Sequence, residues 1–258
     1  MKRFFLPPGS LQGRRMVFTG SDARYICRVL RLGRGAEIVG FDGSGTEYTG
    51  TIAILSPRRV EAVISRTEVS KEAPPLRIGL AQSLVKGRGL DRVIRQATEL
   101  GISEFFPLAT RYTIPRLFSE GEKHRHRWLR IAADATRQSG RKFTPAVHPV
   151  QNWREFLDRA GEYDLALLPW EKEAERSLKE AAAPLSGAAG PARILIAIGP
   201  EGGFSDPEAA EAAAAGFLLV SLGPGILRAT TAGVAAVAFL QIALGEGAGS
   251  AARAPLSV

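Results

Sequence analysis

One stretch constrains this chain more than any other: the apolar run Ile194-Leu-Ile-Ala-Ile198 passes without a break into Gly199-Pro-Glu-Gly-Gly203. A buried strand thus delivers a tight, backbone-exposed loop to the carboxyl edge of a sheet, the edge where ligands bind in open α/β folds. Directly after it, Ser205-Asp-Pro-Glu208 has the form of a capping box. A helix therefore starts at the loop, with its N-terminus facing it, and ends near Gly216. The next strand, over 217–222, ends in a second glycine-proline loop, Leu222-Gly-Pro-Gly225, continuing as Ile226-Leu-Arg228.

The surrounding rhythm extends this pattern. Strands are expected over 76–84, 104–108, 164–168 and 193–198. Helices are expected over 90–100, stopped by Gly101, and over about 122–139. That alternation implies a mostly parallel sheet covered on both faces by helices. A last helix over 231–244 is almost wholly apolar (Val234, Val237, Phe239, Leu240, Ile242), so either the monomer core or a dimer interface must cover it.

From 3 to 65 the chain reads differently. Short apolar runs at Met16-Val-Phe18, 36–41, 48–55 and 59–64, with Asp42-Gly-Ser-Gly45 between two of them, predict hairpins and a small β-barrel. A helix over 22–32 would carry Arg24, Arg28 and Arg31 near one face. The polar stretch ending in Pro74-Pro75 reads as a linker. The expected domains are 1–70 and 76–247, and the tail after 245 reads as frayed.

Charge is divided unevenly. Over 1–150 there are 26 basic against 13 acidic residues, and over 151–258 there are 8 against 13. A basic surface in the first part attracts polyanions, nucleic acid above all, with a solvated arginine-rich face as the plainer alternative. The start, Met1-Lys-Arg-Phe-Phe-Leu-Pro-Pro8, is broken too early for a signal peptide, and no run is long and apolar enough to span a bilayer, so a soluble cytoplasmic protein is expected. Cys27 reads as a buried apolar side chain. No metal is expected: His124 and His126 fall on different faces of a helix, and His148 lies in a proline-flanked loop. Lys123-His-Arg-His-Arg127 reads as an RNA-facing stripe or a solvated face.

The glycine loops allow main-chain groups to approach a flat ligand. A P-loop would need lysine after the glycines, where Phe204 stands, and the G-x-G-x-x-G of a dinucleotide site is missing. A purely structural turn remains open for the first loop alone. Two such loops would converge on one pocket, walled by Leu222, Ile226 and Leu227, with Arg228 the cation aimed at an anion or nucleotide. Ala166-Leu-Leu-Pro-Trp-Glu171 approaches the same edge.

Taken in order, Arg28-Val-Leu-Arg31, Phe41-Asp-Gly43, Lys86-Gly87, Ala97-Thr-Glu-Leu-Gly101, Gln138-Ser139 with Arg141, Ile198-Gly-Pro-Glu-Gly-Gly-Phe204 and Leu222-Gly-Pro with Ile226-Leu-Arg228 resemble the bacterial small-subunit ribosomal RNA methyltransferase E family, within the α/β-knotted (SPOUT) methyltransferases. The resemblance implies a PUA-like barrel, a trefoil-knotted domain binding S-adenosylmethionine, a homodimer through that domain, and methylation of a uridine N3 in 16S rRNA within the small ribosomal subunit. It assigns the cofactor to Leu168, Pro169, Ile198, Gly199, Pro200, Glu201, Gly202, Gly203, Leu222, Gly223, Ile226 and Leu227. Catalysis falls to Arg228, and RNA contact to Arg24, Arg28, Arg31, Lys86, Arg137 and Arg141. Relatives commonly carry Arg-Ile-Leu-Arg-Thr-Glu-Thr in the final loop. Here Gly225 replaces the first arginine and Thr230 the glutamate. That departure keeps two rivals in view: a non-catalytic RNA-binding assembly protein, and a methyltransferase of another RNA.

Overall fold

The computed structural model describes residues 2–70, 74–113, 115–186 and 191–245, the side chains of 115–123 excepted. The chain forms two compact units, Met1–Ala73 with Ala133–Thr144, and Pro74–Ala132 with Pro145–Val258. Within the expected linker, 71–73 lie outside the described residues, as do the tail after 245 and the Lys123 side chain.

In the first unit, β1 (Arg3–Phe5), β2 (Leu11–Gln12), β3 (Arg15–Thr19), β4 (Glu37–Phe41), β5 (Thr46–Leu55) and β6 (Arg59–Val69) make one sheet in the order β1-β4-β5-β6-β3-β2. The β4–β5 hairpin falls at the predicted turn, where Asp42 Oδ1 accepts from the Ser44 N–H at 2.8 Å and Gly43 and Gly45 both take positive φ. A side chain at Gly45 would also meet the Phe143 ring at 2.7 Å, so glycine is required there. The β1–β4 pairing is parallel, and three residues carry too little periodicity to announce it. Phe4, Met16, Phe18, Ile26, Ile38, Ile52 and Val60 fill the core.

The helix expected over 22–32 is shorter and differently wound. After α1 (Gly20–Arg24) the backbone opens into i→i+5 hydrogen bonding over Tyr25–Val29, with the Leu30 N–H donating to the Tyr25 carbonyl at 2.9 Å. Arg31 then sits at φ 51, beyond the helix, so it does not share a helical face with Arg24 and Arg28. All three side chains are exposed.

The second unit holds β7 (Leu76–Ser83), α2 (Gly89–Leu100), β8 (Glu104–Ala109), most of α3 (Pro115–Gln138), β9 (Ala146–Val147), β10 (Gln151–Asn152), α4 (Trp153–Leu157), β11 (Leu165–Pro169), α5 (Leu178–Ala182), β12 (Ala192–Ile198), α6 (Asp206–Ala214), β13 (Leu218–Val220) and α7 (Ala229–Gly245). The sheet order is β10-β8-β7-β12-β11-β13, with β9 beside β8 and each of these pairings parallel. Alternation along β12 sends Ile194, Ile196 and Ile198 into a core with Leu80, Ile94 and Val237, and Leu195 and Ala197 into a second core with Phe106, Phe156 and Phe217. Both faces are therefore covered, as the strand-helix rhythm implied. α2 stops at Gly101 in the left-handed region, φ 96, and the Ser205–Glu208 capping box starts α6.

The first unit also takes in 133–144, a return of the chain that no local pattern announces. α7 buries one stripe, Ala229, Ala232, Gly233, Ala236, Val237 and Leu240, against α2, β7 and β12, and leaves Ile242 70% exposed. Among the described residues no helix is long and apolar enough to cross a membrane.

Candidate functional site

Because β7, β11, β12 and β13 run parallel, the segments leaving their carboxyl ends meet at one edge, where they line a cavity of about 1020 Å³. Pro169, Ile198, Gly199, Pro200, Glu201, Gly202, Gly203, Leu222, Gly223, Ile226 and Leu227 all line it, and so do Arg228 and Lys86. Leu168 does not. The alternation of β11 turns its side chain into the Phe106–Phe217 core, so any contact from this position to a ligand is through backbone.

The first loop is held from every side. Gly203 takes φ +69, and a Cβ there would stand 2.8 Å from a Glu171 carboxylate oxygen. At Gly199 a Cβ would meet the Gly203 carbonyl carbon at 3.0 Å. Glu201 accepts the Lys86 N–H at 3.2 Å, which explains its place in the loop as a brace. The Trp170 indole N–H donates to the Phe204 carbonyl at 3.4 Å. Beneath the loop, the fully buried Gln82 donates from Nε2 to the Gly199 carbonyl at 3.5 Å, while its Oε1 has no partner among the described residues. A Cβ at Gly233 would come within 2.8 Å of that oxygen, so the glycine in α7 makes room for the amide under the loop.

The second loop has almost none of this support. Gly223 takes φ +120 and its N–H is 3.3 Å from Ser221 Oγ. Ile226 is 89% exposed and Leu227 39%, and the Arg228 side chain is exposed while its carbonyl accepts the N–H groups of Thr231 and Ala232 at the start of α7. Thr230 also lines the cavity, and its methyl group lies 3.0 Å from where a Cβ of Gly89 would stand.

Residues 72–241 match the family model described as an RNA methyltransferase domain, and 18–65 the one described as an RNA methyltransferase PUA domain. The ribosomal RNA small subunit methyltransferase E of Synechocystis is 35% identical over 89% of this chain and 74% of its own length. The chain belongs to the ribosomal RNA small subunit methyltransferase E family. The Bacillus subtilis member is 28% identical over 83% of this chain and 84% of its own. A family member from Neisseria gonorrhoeae, solved with S-adenosylmethionine bound, superposes with a TM-score of 0.79 at 32% identity, covering 94% of this chain and 97% of the other.

In this methyltransferase the expected basic contacts fare unequally. Arg137 lies 3.7 Å from Asp134, and both face Asp22, whose carboxyl is raised first by burial and then by the Asp134 charge, with Arg137 opposing. Burial lowers the Arg141 guanidinium, and the Arg141 carbonyl accepts from Arg3 Nη2 at 2.9 Å. In the stripe over 123–127, Arg127 pairs with Asp91 and Arg125 donates to the Val147 carbonyl at 3.3 Å, so both are tied to the protein. Sequence reasoning overlooked Val85, Gly89 and Arg92, which also line the cavity. The signal was available: β7 is one more parallel strand, and its carboxyl end had to open on the same edge.

Proposed function

We propose that this chain transfers the methyl group of S-adenosylmethionine to N3 of one uridine in 16S rRNA, in the cytoplasm and within the small ribosomal subunit. The observation that carries the reading is the convergence of two glycine loops on one cavity with Arg228 among its lining residues. The residues fit the cofactor. Gly199, Gly202 and Gly203 line the cavity without side chains and so offer bare backbone to a flat purine, and Ile198, Leu222, Ile226 and Leu227 add apolar wall. At about 1020 Å³ the space stands at the upper end of single-ligand pockets, which typically hold about 300–1,000 Å³, leaving room for a base beside the cofactor.

When bound, that cofactor supplies a methyl group already activated by its sulfonium. The N3 proton of the uracil would pass to solvent water, Arg228 would stabilise the negative charge that this leaves on the ring, and the nitrogen lone pair would then form the new N–C bond as the S–CH3 bond breaks and the sulfur departs as a neutral thioether. Glu201 is engaged with the Lys86 N–H. Glu173 is also engaged: the N–H groups of Arg176 and Glu175 hold its carboxyl below the usual range.

The same reading includes the trefoil knot over 76–247 and a PUA-like barrel over 1–70 whose Arg24, Arg28 and Arg31, with Arg137 and Arg141, contact RNA. It also includes a homodimer through the C-terminal domain, for which the exposed Ile242 on α7 supplies apolar surface. Mass mapping of 16S rRNA from a strain lacking this chain tests it: one uridine should lose one methyl group, and an unchanged map would end the assignment.

A further inference from the structure

The turn that leaves β8 carries an aromatic side chain that neither the cofactor cradle nor the core uses. The Tyr112 side chain is 51% exposed, and its Cβ, Cγ and Cδ2 lie 3.5 Å from where a Cβ of Gly202 would stand, so it lies along the bare backbone of the first glycine loop. Gly202 lines the cavity and Tyr112 does not, which puts the aromatic side chain on the rim.

Its backbone is fixed with unusual care for an exposed turn. The Thr113 N–H donates to the Thr110 carbonyl at 2.9 Å, the Thr110 N–H donates to Thr113 Oγ1 at 3.0 Å, and the Arg111 N–H donates to Glu208 Oε1 at 2.7 Å. Glu208 is itself buried in the α6 capping box that begins at the end of the same glycine loop. One carboxylate therefore ties the Tyr112 turn to the loop that lines the cavity. An aromatic group on a pinned turn, set along a loop backbone and half in water, is suited to a surface that receives another flat ring. The adjacent Arg111 is exposed, which sets a cation beside the ring.

We infer that Tyr112 is a stacking platform for a nucleobase flanking the target nucleotide, with Arg111 contacting the phosphate next to it. The inference rests on the RNA methyltransferase reading and extends it to a positioning residue. A base in the cavity has to be turned out of its strand, and its neighbour is then left without one stacking partner at the rim. A ring of tyrosine restores that stacking without reading sequence, since every base has a π-face.

The test uses the full chain with small subunits from a strain lacking it. Replacing an aromatic platform by alanine removes about 1–3 kcal/mol of stacking per base, a factor of roughly 5 to 150. Tyr112→Ala should therefore raise KM for the subunit by about fivefold or more while KM for S-adenosylmethionine and the thermal midpoint stay unchanged. Tyr112→Phe and Tyr112→Trp should restore it and Tyr112→Leu should not. Direct binding of a 16S rRNA fragment, measured without the cofactor, should fall in parallel. Equal KM values in Tyr112→Ala and wild type would overturn the proposal, as would rescue by leucine or a change confined to oligomeric state. A wild-type chain that transfers no methyl group would remove the functional reading instead, and the fragment-binding series would then decide the platform by the same aromatic-against-leucine pattern.

Discussion

The two glycine loops at the carboxyl edge look alike in sequence and differ in how they are held. Gly199–Gly203 is braced by Gln82, Lys86, Trp170 and Glu171, and leads into a capped helix. The loop from Gly223 to Arg228 exposes Ile226 to 89% and leaves the Arg228 side chain at the surface. The first loop has its shape before any ligand arrives, so little order is lost on binding. The second holds its apolar and charged groups in water, and on the proposed function it gains its contacts from cofactor and RNA. On the proposed function, holding and reacting are thus divided between the loops after β12 and β13, two strands that flank β11.

Substitutions can break that division, and the largest effect is expected at the reacting loop. On the proposed role, Arg228→Ala removes the charge that stabilises the uridylate, and kcat should fall by about 100- to 1,000-fold, the range for losing one donor that stabilises transition-state charge. Calorimetry should find cofactor affinity unchanged, and a parallel loss of affinity would move Arg228 to the holding side.

In the braced loop, Gly203→Ala forces a Cβ into left-handed backbone, at a cost of roughly 1–2 kcal/mol, and against Glu171. Cofactor affinity should drop by at least about tenfold, and a normal titration would mean that the cradle is more pliant than its hydrogen bonds imply.

A smaller effect separates stability from binding at Ile226. With so exposed a side chain, Ile226→Ala should shift unfolding by no more than about 0.5 kcal/mol. It should nevertheless weaken cofactor binding by about tenfold if the side chain is buried only in the complex. An altered melting midpoint without altered affinity would reverse that order.

The smallest effect lies far from both loops, at the amino end of β8. A hydrogen bond with His148 lowers the Glu104 carboxyl to about 2; burial opposes this, and the Tyr163 hydroxyl, donating at 2.7 Å, adds to it. A carboxyl depressed from 4.5 contributes stability that is complete above about pH 4.5 and is lost as the pH falls towards 2. Glu104→Gln should flatten the thermal midpoint against pH across that window and leave methyl transfer at neutral pH intact. An unchanged acid slope would remove the network from the account.

Much of this was readable from local pattern. Gly101, the Ser205–Glu208 box and the run Ile194–Ile198 each fix a conformation through their own chemistry, and each appears in the structure as expected. The paired loops were legible because two parallel strands must end on the same edge. What escaped the sequence depends on distant partners. Leu168 turns away from the cavity because of strand alternation against β12 and β13, and Arg137 faces Asp22, more than a hundred residues earlier. Arg31 left the helix because the backbone changed its winding after Arg24, which composition does not signal. Gln82 beneath Gly199 and Tyr112 beside Gly202 join segments that only the fold brings together.

Incubating the purified chain with small subunits from a strain lacking it and methyl-labelled S-adenosylmethionine tests the central claim most directly. Label should appear at N3 of a single uridine of 16S rRNA, approaching one methyl group per subunit. Cofactor binding without transfer, or label on any other atom, would contradict the account.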